Sequence, residues 1–199
     1  MNKKLRILFC SEDYGSLEQN IYLKKILSKK KLLDKKNSII VCNNIFEERL
    51  KKISLNKIFS SNFKRIKKKI SQYFVSTKID MTIVGMSIKP YSLDYELTKF
   101  ANSRNIKTLC IQDFWGNIGN YDDKVFPKYL FVADMYANKL TQQRIKSKII
   151  TSGLPKYLVK KPIFQFSNKV KEENLLILGQ PSYVSATNTY LKFIDKFDY

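Results

Sequence analysis

Three short apolar runs between Thr108 and Pro155 stop abruptly at residues able to do chemistry. TLCIQ gives way to Asp113-Phe114-Trp115-Gly116-Asn117, YLFV to Ala133-Asp134, and KIIT to Ser152-Gly153-Leu154-Pro155. Short runs that are apolar throughout fit parallel strands buried on both faces. Sheets of that kind bind ligands in the crevice outside the carboxyl ends of their strands. A carboxylate and the chain's one Trp are therefore expected at the edge where a ligand would sit. A second loop of similar character, Ser11-Glu12-Asp13-Tyr14-Gly15-Ser16, follows LRILFC near the start.

Composition narrows the chemistry. The 199 residues include no His, which removes Ser/His, Cys/His and His-base mechanisms from this chain acting alone. Cys10, Cys42 and Cys110 lie in or at the end of apolar runs without metal-ligand spacing, so buried, reduced thiols are expected and no metal site. No apolar run reaches the ~18 residues of a membrane-spanning helix. The start, Met1 to Arg6, carries the charge of a signal peptide, but the apolar run after it ends too early, at Ser11-Glu12-Asp13. A cytoplasmic location is expected, with peripheral contact at the inner face of the membrane as an extension of it.

The net charge of +20 is uneven: residues 1–78 hold 20 Lys/Arg against 6 Asp/Glu, and residues 79–199 hold 17 against 11. Such an excess either solvates helix faces or meets an anionic partner: a membrane surface, a nucleic acid or a phosphorylated ligand. No nucleic-acid reader motif accompanies it, which argues against nucleic acid.

The elements that would position these loops alternate. Strands are expected at Leu5–Cys10, Ser38–Cys42, Asp80–Gly85, Lys107–Ile111, Tyr129–Ala133 and Lys148–Ile150. Helices are expected at Leu17–Lys31, at Asn56–Phe74, after a Ser92 cap, and at Met135–Arg144, and Asn43 or Asn44 suits the cap of a short one. In the second, Phe59, Phe63, Ile66, Ile70 and Tyr73 form one apolar stripe, with Lys64, Arg65, Lys67, Lys68 and Lys69 on the remainder. That helix either lies on an anionic membrane or packs its stripe on a sheet with its cations in water; a buried stripe with lysines facing headgroups satisfies both. Alternation of this kind specifies an α/β, doubly wound sheet, with the first domain at 1–159. Residues 160–173 read as a linker, and 174–199 as the first strand-helix unit of a second domain: NLLIL, then Gly179-Gln180-Pro181-Ser182 and a helix.

This ordered set resembles the N-terminal half of GT-B-type glycosyltransferases and their relatives, the UDP-N-acetylglucosamine 2-epimerases and CDP-glycerol glycerophosphotransferases. The resemblance rests on the opening strand with its Gly-containing loop, the Asp-Phe-Trp loop, Val132-Ala133-Asp134, Ser152-Gly153-Leu154-Pro155 and Leu178-Gly179-Gln180-Pro181. It covers most of the chain and implies a mostly parallel, Rossmann-like acceptor-side domain followed by the start of a donor-binding domain.

By that resemblance the complete enzyme uses a nucleotide-sugar donor in building cell-surface polysaccharide, and this chain alone binds no cofactor. Its partner would be a sugar or lipid-linked acceptor. With no His, a carboxylate serves as base: Asp113 first, Asp13 second, each of which would otherwise cap a helix or tighten a turn. Gly15 and Ser16 would bring the backbone of a helix start to a phosphate. Ser87, Trp115 and Asn117 would contact substrate, and Gly179, Gln180 and Ser182 would lie on the donor side. Most of the donor domain is absent from the 199 residues, so the chain alone is expected to be catalytically incompetent and to need a C-terminal half or a second chain. The alternatives are a nucleotide-sugar epimerase half and a non-catalytic binding module that uses its basic surface.

Overall fold

The computed structural model describes residues 3–114, 117–119, 121–122 and 124–159. Seven strands run through them: β1 (Ile7–Ser11), β2 (Ile39–Cys42), β3 (Asn56–Phe59), β4 (Met81–Val84), β5 (Lys107–Ile111), β6 (Tyr129–Val132) and β7 (Lys148–Thr151). They form one sheet in the order β3-β2-β1-β4-β5-β6-β7, every neighbouring pair parallel. The helices are α1 (Tyr14–Lys29), α2 (Glu47–Leu50), α3 (Phe63–Ser76), α4 (Leu93–Asn102), α5 (Met135–Gln142) and α6 (Pro155–Val159). This is the expected α/β class, doubly wound and Rossmann-like, with the strand order reversing between β1 and β4.

Strand side chains alternate between the two faces and build two cores. Leu8 and Cys10 of β1 join a layer with Phe63, Ile66 and Ile70 of α3, Leu93 and Leu97 of α4, and Ala137 of α5. Ile7 and Phe9 join the opposite layer with Leu17 of α1, Leu50 of α2 and Leu154 just before α6. Burying each such Leu or Phe contributes roughly 1.5–3 kcal/mol relative to exposure, which is what holds α4 on the sheet once Ser92 has capped it. Among the described residues no helix is long and apolar enough to cross a membrane.

The expected helix over 56–74 is corrected. Asn56–Phe59 is an edge strand paired with Ile39–Cys42, and the helix begins only at Phe63. Ser60 to Asn62 make the break: the Ser60 N–H donates to the Cys42 carbonyl (2.9 Å), and the Asn62 side chain accepts from the Lys64 N–H (2.9 Å), capping α3. Phe59 stands four residues before Phe63, so a strand residue fell by coincidence on the helical period. The stripe of α3 is buried through Phe63, Ile66, Ile70 and Phe74, while its five cations are exposed. The stripe therefore has no free face to insert into lipid.

Candidate functional site

The loops at the carboxyl ends of β1 and β4 meet where the strand order reverses, with that of β5 alongside. Beneath them lie the two buried carboxylates among the described residues, Glu12 and Asp94. Glu12, one residue past β1, has a side chain only 4% exposed and gathers three donors: Asn43 Nδ2 (3.0 Å), Lys89 Nζ (2.8 Å) and the Leu93 backbone N–H (3.0 Å). The last places a carboxylate at the amino end of α4, where the helix dipole favours it. Glu12 thus ties the loops after β1, β2 and β4 together.

Below it Asp94, in the first turn of α4, is completely buried. Its Oδ2 accepts from the Glu12 N–H (3.4 Å), and its Oδ1 has no hydrogen-bond partner among the described residues. Burial, reinforced by the negative charge of Asp13, pushes this carboxyl up to about 8. A Cβ at Gly85 would collide with both Ser16 and the Asp94 carboxylate, so close packing at this corner requires glycine.

Asp13 is the N-cap of α1, with its Oδ1 accepting from the Ser16 N–H (2.9 Å). Ser16 is buried, and its hydroxyl donates to the Asp13 carbonyl (3.1 Å). Gly15 lies between them, where an added Cβ would collide with the carboxylate of Asp113. Asp113 follows β5 and is partly buried. Desolvation, then the charge of Asp13, raises its pKa, against hydrogen bonding by the Asn117 side chain and the charge of Lys156.

Asn117 holds this wall together. Its Nδ2 donates to the Met86 carbonyl (3.0 Å), and its Oδ1 accepts from the Gly119 N–H (2.8 Å). Its own carbonyl accepts from Gln112 Nε2 (2.8 Å). Gly119 has φ +57° and sits on the Ser87 carbonyl, so the loop after β5 lies directly on the loop after β4. Ser87 is buried, and its hydroxyl accepts from the Lys89 N–H (3.1 Å).

Asp113, Asp13, Gly15, Ser16, Ser87 and Asn117 therefore share one edge. Trp115, Gly179, Gln180 and Ser182 lie outside the described residues. Glu12 and Asp94 complete the edge, and no sequence signal marks either as a site residue. Glu12 finds its partners 31, 77 and 81 residues away, and no local pattern announces that. Asp94 reads in sequence as an ordinary first-turn acid.

Large apolar side chains stand exposed around this edge, among them Tyr14, Ile88, Tyr91, Phe114 and Tyr136. Asp113 lines neither of two shallow grooves. One of about 370 Å³ is lined by Tyr14, Tyr22, Lys25, Arg49 and Lys52, and one of about 570 Å³ by Tyr121, Asp122 and residues 142–146. Among the described residues no cluster of three or more His, Cys, Asp or Glu could hold a metal ion. The cysteines are free and buried, and burial raises all three thiols, Cys42 to about 12, which leaves little thiolate near neutrality.

Chemically, the edge offers a half-buried carboxyl of raised pKa beside a helix start, with aromatic side chains around its mouth. No family model matches the chain, and comparison with curated proteins and with solved structures gives no match either.

Proposed function

We propose that this chain is the acceptor-side domain of a GT-B-type glycosyltransferase or polyol-phosphate transferase acting in cell-surface polysaccharide synthesis, with Asp113 as its base. In the transfer, the acceptor hydroxyl oxygen attacks the donor as its proton passes to the Asp113 carboxylate. The nucleotide then leaves with the bonding electrons. A donor site needs positive or dipolar groups for that leaving nucleotide, and a further unit or chain would supply most of them.

The position of Asp113 carries this reading. It lies just past the carboxyl end of β5, beside the strand reversal, and desolvation raises its pKa, which makes the carboxylate a stronger base. The exposed aromatics nearby provide faces for a sugar ring.

A second reading, a non-catalytic binding module, draws on a different observation. Asp13, Ser16 and Asn117 spend polar atoms on capping and on loop closure. Thermal-shift titration of wild type and Asp113→Asn with monosaccharides and glycerol phosphate separates the two. The transferase reading expects stabilisation of wild type that Asp113→Asn loses while retaining its ligand-free melting temperature. Equal stabilisation of both proteins would favour a module that binds without using that carboxylate.

A further inference from the structure

The outer face of α3 is a charged surface with no acid on its own helix to compensate it. The helix carries Lys64, Arg65, Lys67, Lys68 and Lys69 and no acidic residue, and all five cations are exposed because the apolar stripe opposite is committed to the core. Like charges three and four residues apart, such as Lys64/Lys67, Lys64/Lys68 and Arg65/Lys69, oppose the helix that presents them. Burial of Phe63, Ile66, Ile70 and Phe74 holds the helix in place despite that repulsion.

The face continues onto α4. Lys67 and Arg104 both stand over the Phe100 ring, at 5.8 and 3.7 Å from its centroid, so a cation of α3 and one from the turn after α4 converge there. Lys99 is exposed on the same helix, where Glu96 is half-buried and Asp94 fully buried. At the helical period Val75 falls in line with Lys64 and Lys68, and it is 78% exposed. An almost bare apolar side chain thus lies on the cationic side of the helix, about two turns beyond Lys68.

We propose that this α3–α4 face docks on an anionic lipid surface. Four of the five cations on α3 are lysines, compact charges on flexible stems that meet a diffuse layer of phosphates without fixed geometry. Val75 suits the boundary between headgroups and acyl chains, where basic faces with apolar insertions settle. A single-stranded nucleic acid would need aromatic platforms for its bases. The aromatic residues of α3 are turned inward: Phe63 and Phe74 are buried, and Tyr73 packs against the core. This docking uses none of the chemistry assigned to Asp113.

The test is co-sedimentation of the full 199-residue chain with phosphatidylglycerol/phosphatidylcholine vesicles and with pure phosphatidylcholine vesicles, across salt concentrations. The variant Lys64→Glu/Lys67→Glu/Lys68→Glu is compared with Lys25→Glu/Lys29→Glu/Lys30→Glu, an equal charge change at exposed positions of α1 and its C-cap on the opposite layer. Wild type and the α1 variant are expected to bind the anionic vesicles, and the α3 variant to lose roughly a hundredfold or more. Val75→Ser, which changes no charge, is expected to weaken the part of the binding that survives high salt. Circular dichroism confirms that each variant is folded. Equal losses in the two charge variants would reduce the effect to net charge and overturn the proposal. So would no binding by wild type, or displacement of wild type from vesicles by an oligonucleotide at matched salt.

Discussion

The Asp113 carboxylate rests against the backbone of Gly15, close enough that a single added carbon at residue 15 would occupy its space. A strand end and a helix start thereby meet at the edge where the strand order reverses. The contact is with the tip of a rotatable side chain, so its consequences should be electrostatic before they are structural. Gly15→Ala is expected to change stability by less than ~1 kcal/mol, since alanine's gain over glycine in a helix offsets the displacement. It is expected to change the Asp113 titration markedly. Carbon-detected NMR of the carboxyl across pH measures this, and an unchanged Asp113 titration would mean that the contact does not set its environment.

Gly85 makes the opposite case. Its missing Cβ faces Ser16 and the buried Asp94, side chains packed with nowhere to turn. Gly85→Ala is expected to cost ~1–3 kcal/mol, measured by urea denaturation with an unchanged m-value. A cost indistinguishable from that of Gly15→Ala would show that the corner is looser than this packing implies.

Asp94 should give the protein a stability that falls as pH rises. Its folded pKa of about 8 lies above the ordinary Asp value, so between those two values the folded state holds a proton that the unfolded state has released. Stability contributed by the neutral form is complete below the unfolded value and is lost progressively up to about pH 8. Asp94→Asn, neutral at every pH, is expected to flatten this slope and to gain on wild type by a few kcal/mol at most between pH 5 and pH 8. Parallel curves for the two proteins would place the slope elsewhere.

Glu12 should act through position rather than chemistry. Glu12→Gln keeps the shape but removes the charge that Lys89 and the amino end of α4 both use, at an expected cost of ~1–3 kcal/mol. Hydrogen exchange at Leu93 and its neighbours should accelerate more than exchange in β7. Uniform acceleration would mean global loosening instead.

These residues show how far sequence carries. Strand β5 is visible as KTLCI, with its bounds intact, because a short apolar run that stops at a polar loop fits a buried strand and little else. Strand β3 is hidden, because NKIF is short, lies at the sheet edge, and ends in a Phe that continues the period of α3. The start of α1 shifts from the expected Leu17 to Tyr14, since Asp13 caps it while Gly15 still occupies the first turn. Asp113, Gly15 and Asn117 are legible as loop residues of special type. Their mutual contact, and the burial of Glu12 and Asp94 beneath them, depend on pairings between distant strands that no local pattern encodes.

The central claim is that the edge formed by the loops after β1, β4 and β5 is an acceptor site built around Asp113. Backbone amide NMR of the full chain, titrated with glycerol phosphate and with a panel of monosaccharides, tests it most directly. The account predicts saturable shifts confined to residues 12–16, 85–92 and 112–119 with at least one of these probes, lost in Asp113→Asn. Shifts centred elsewhere, or the same shifts in the variant, would contradict it.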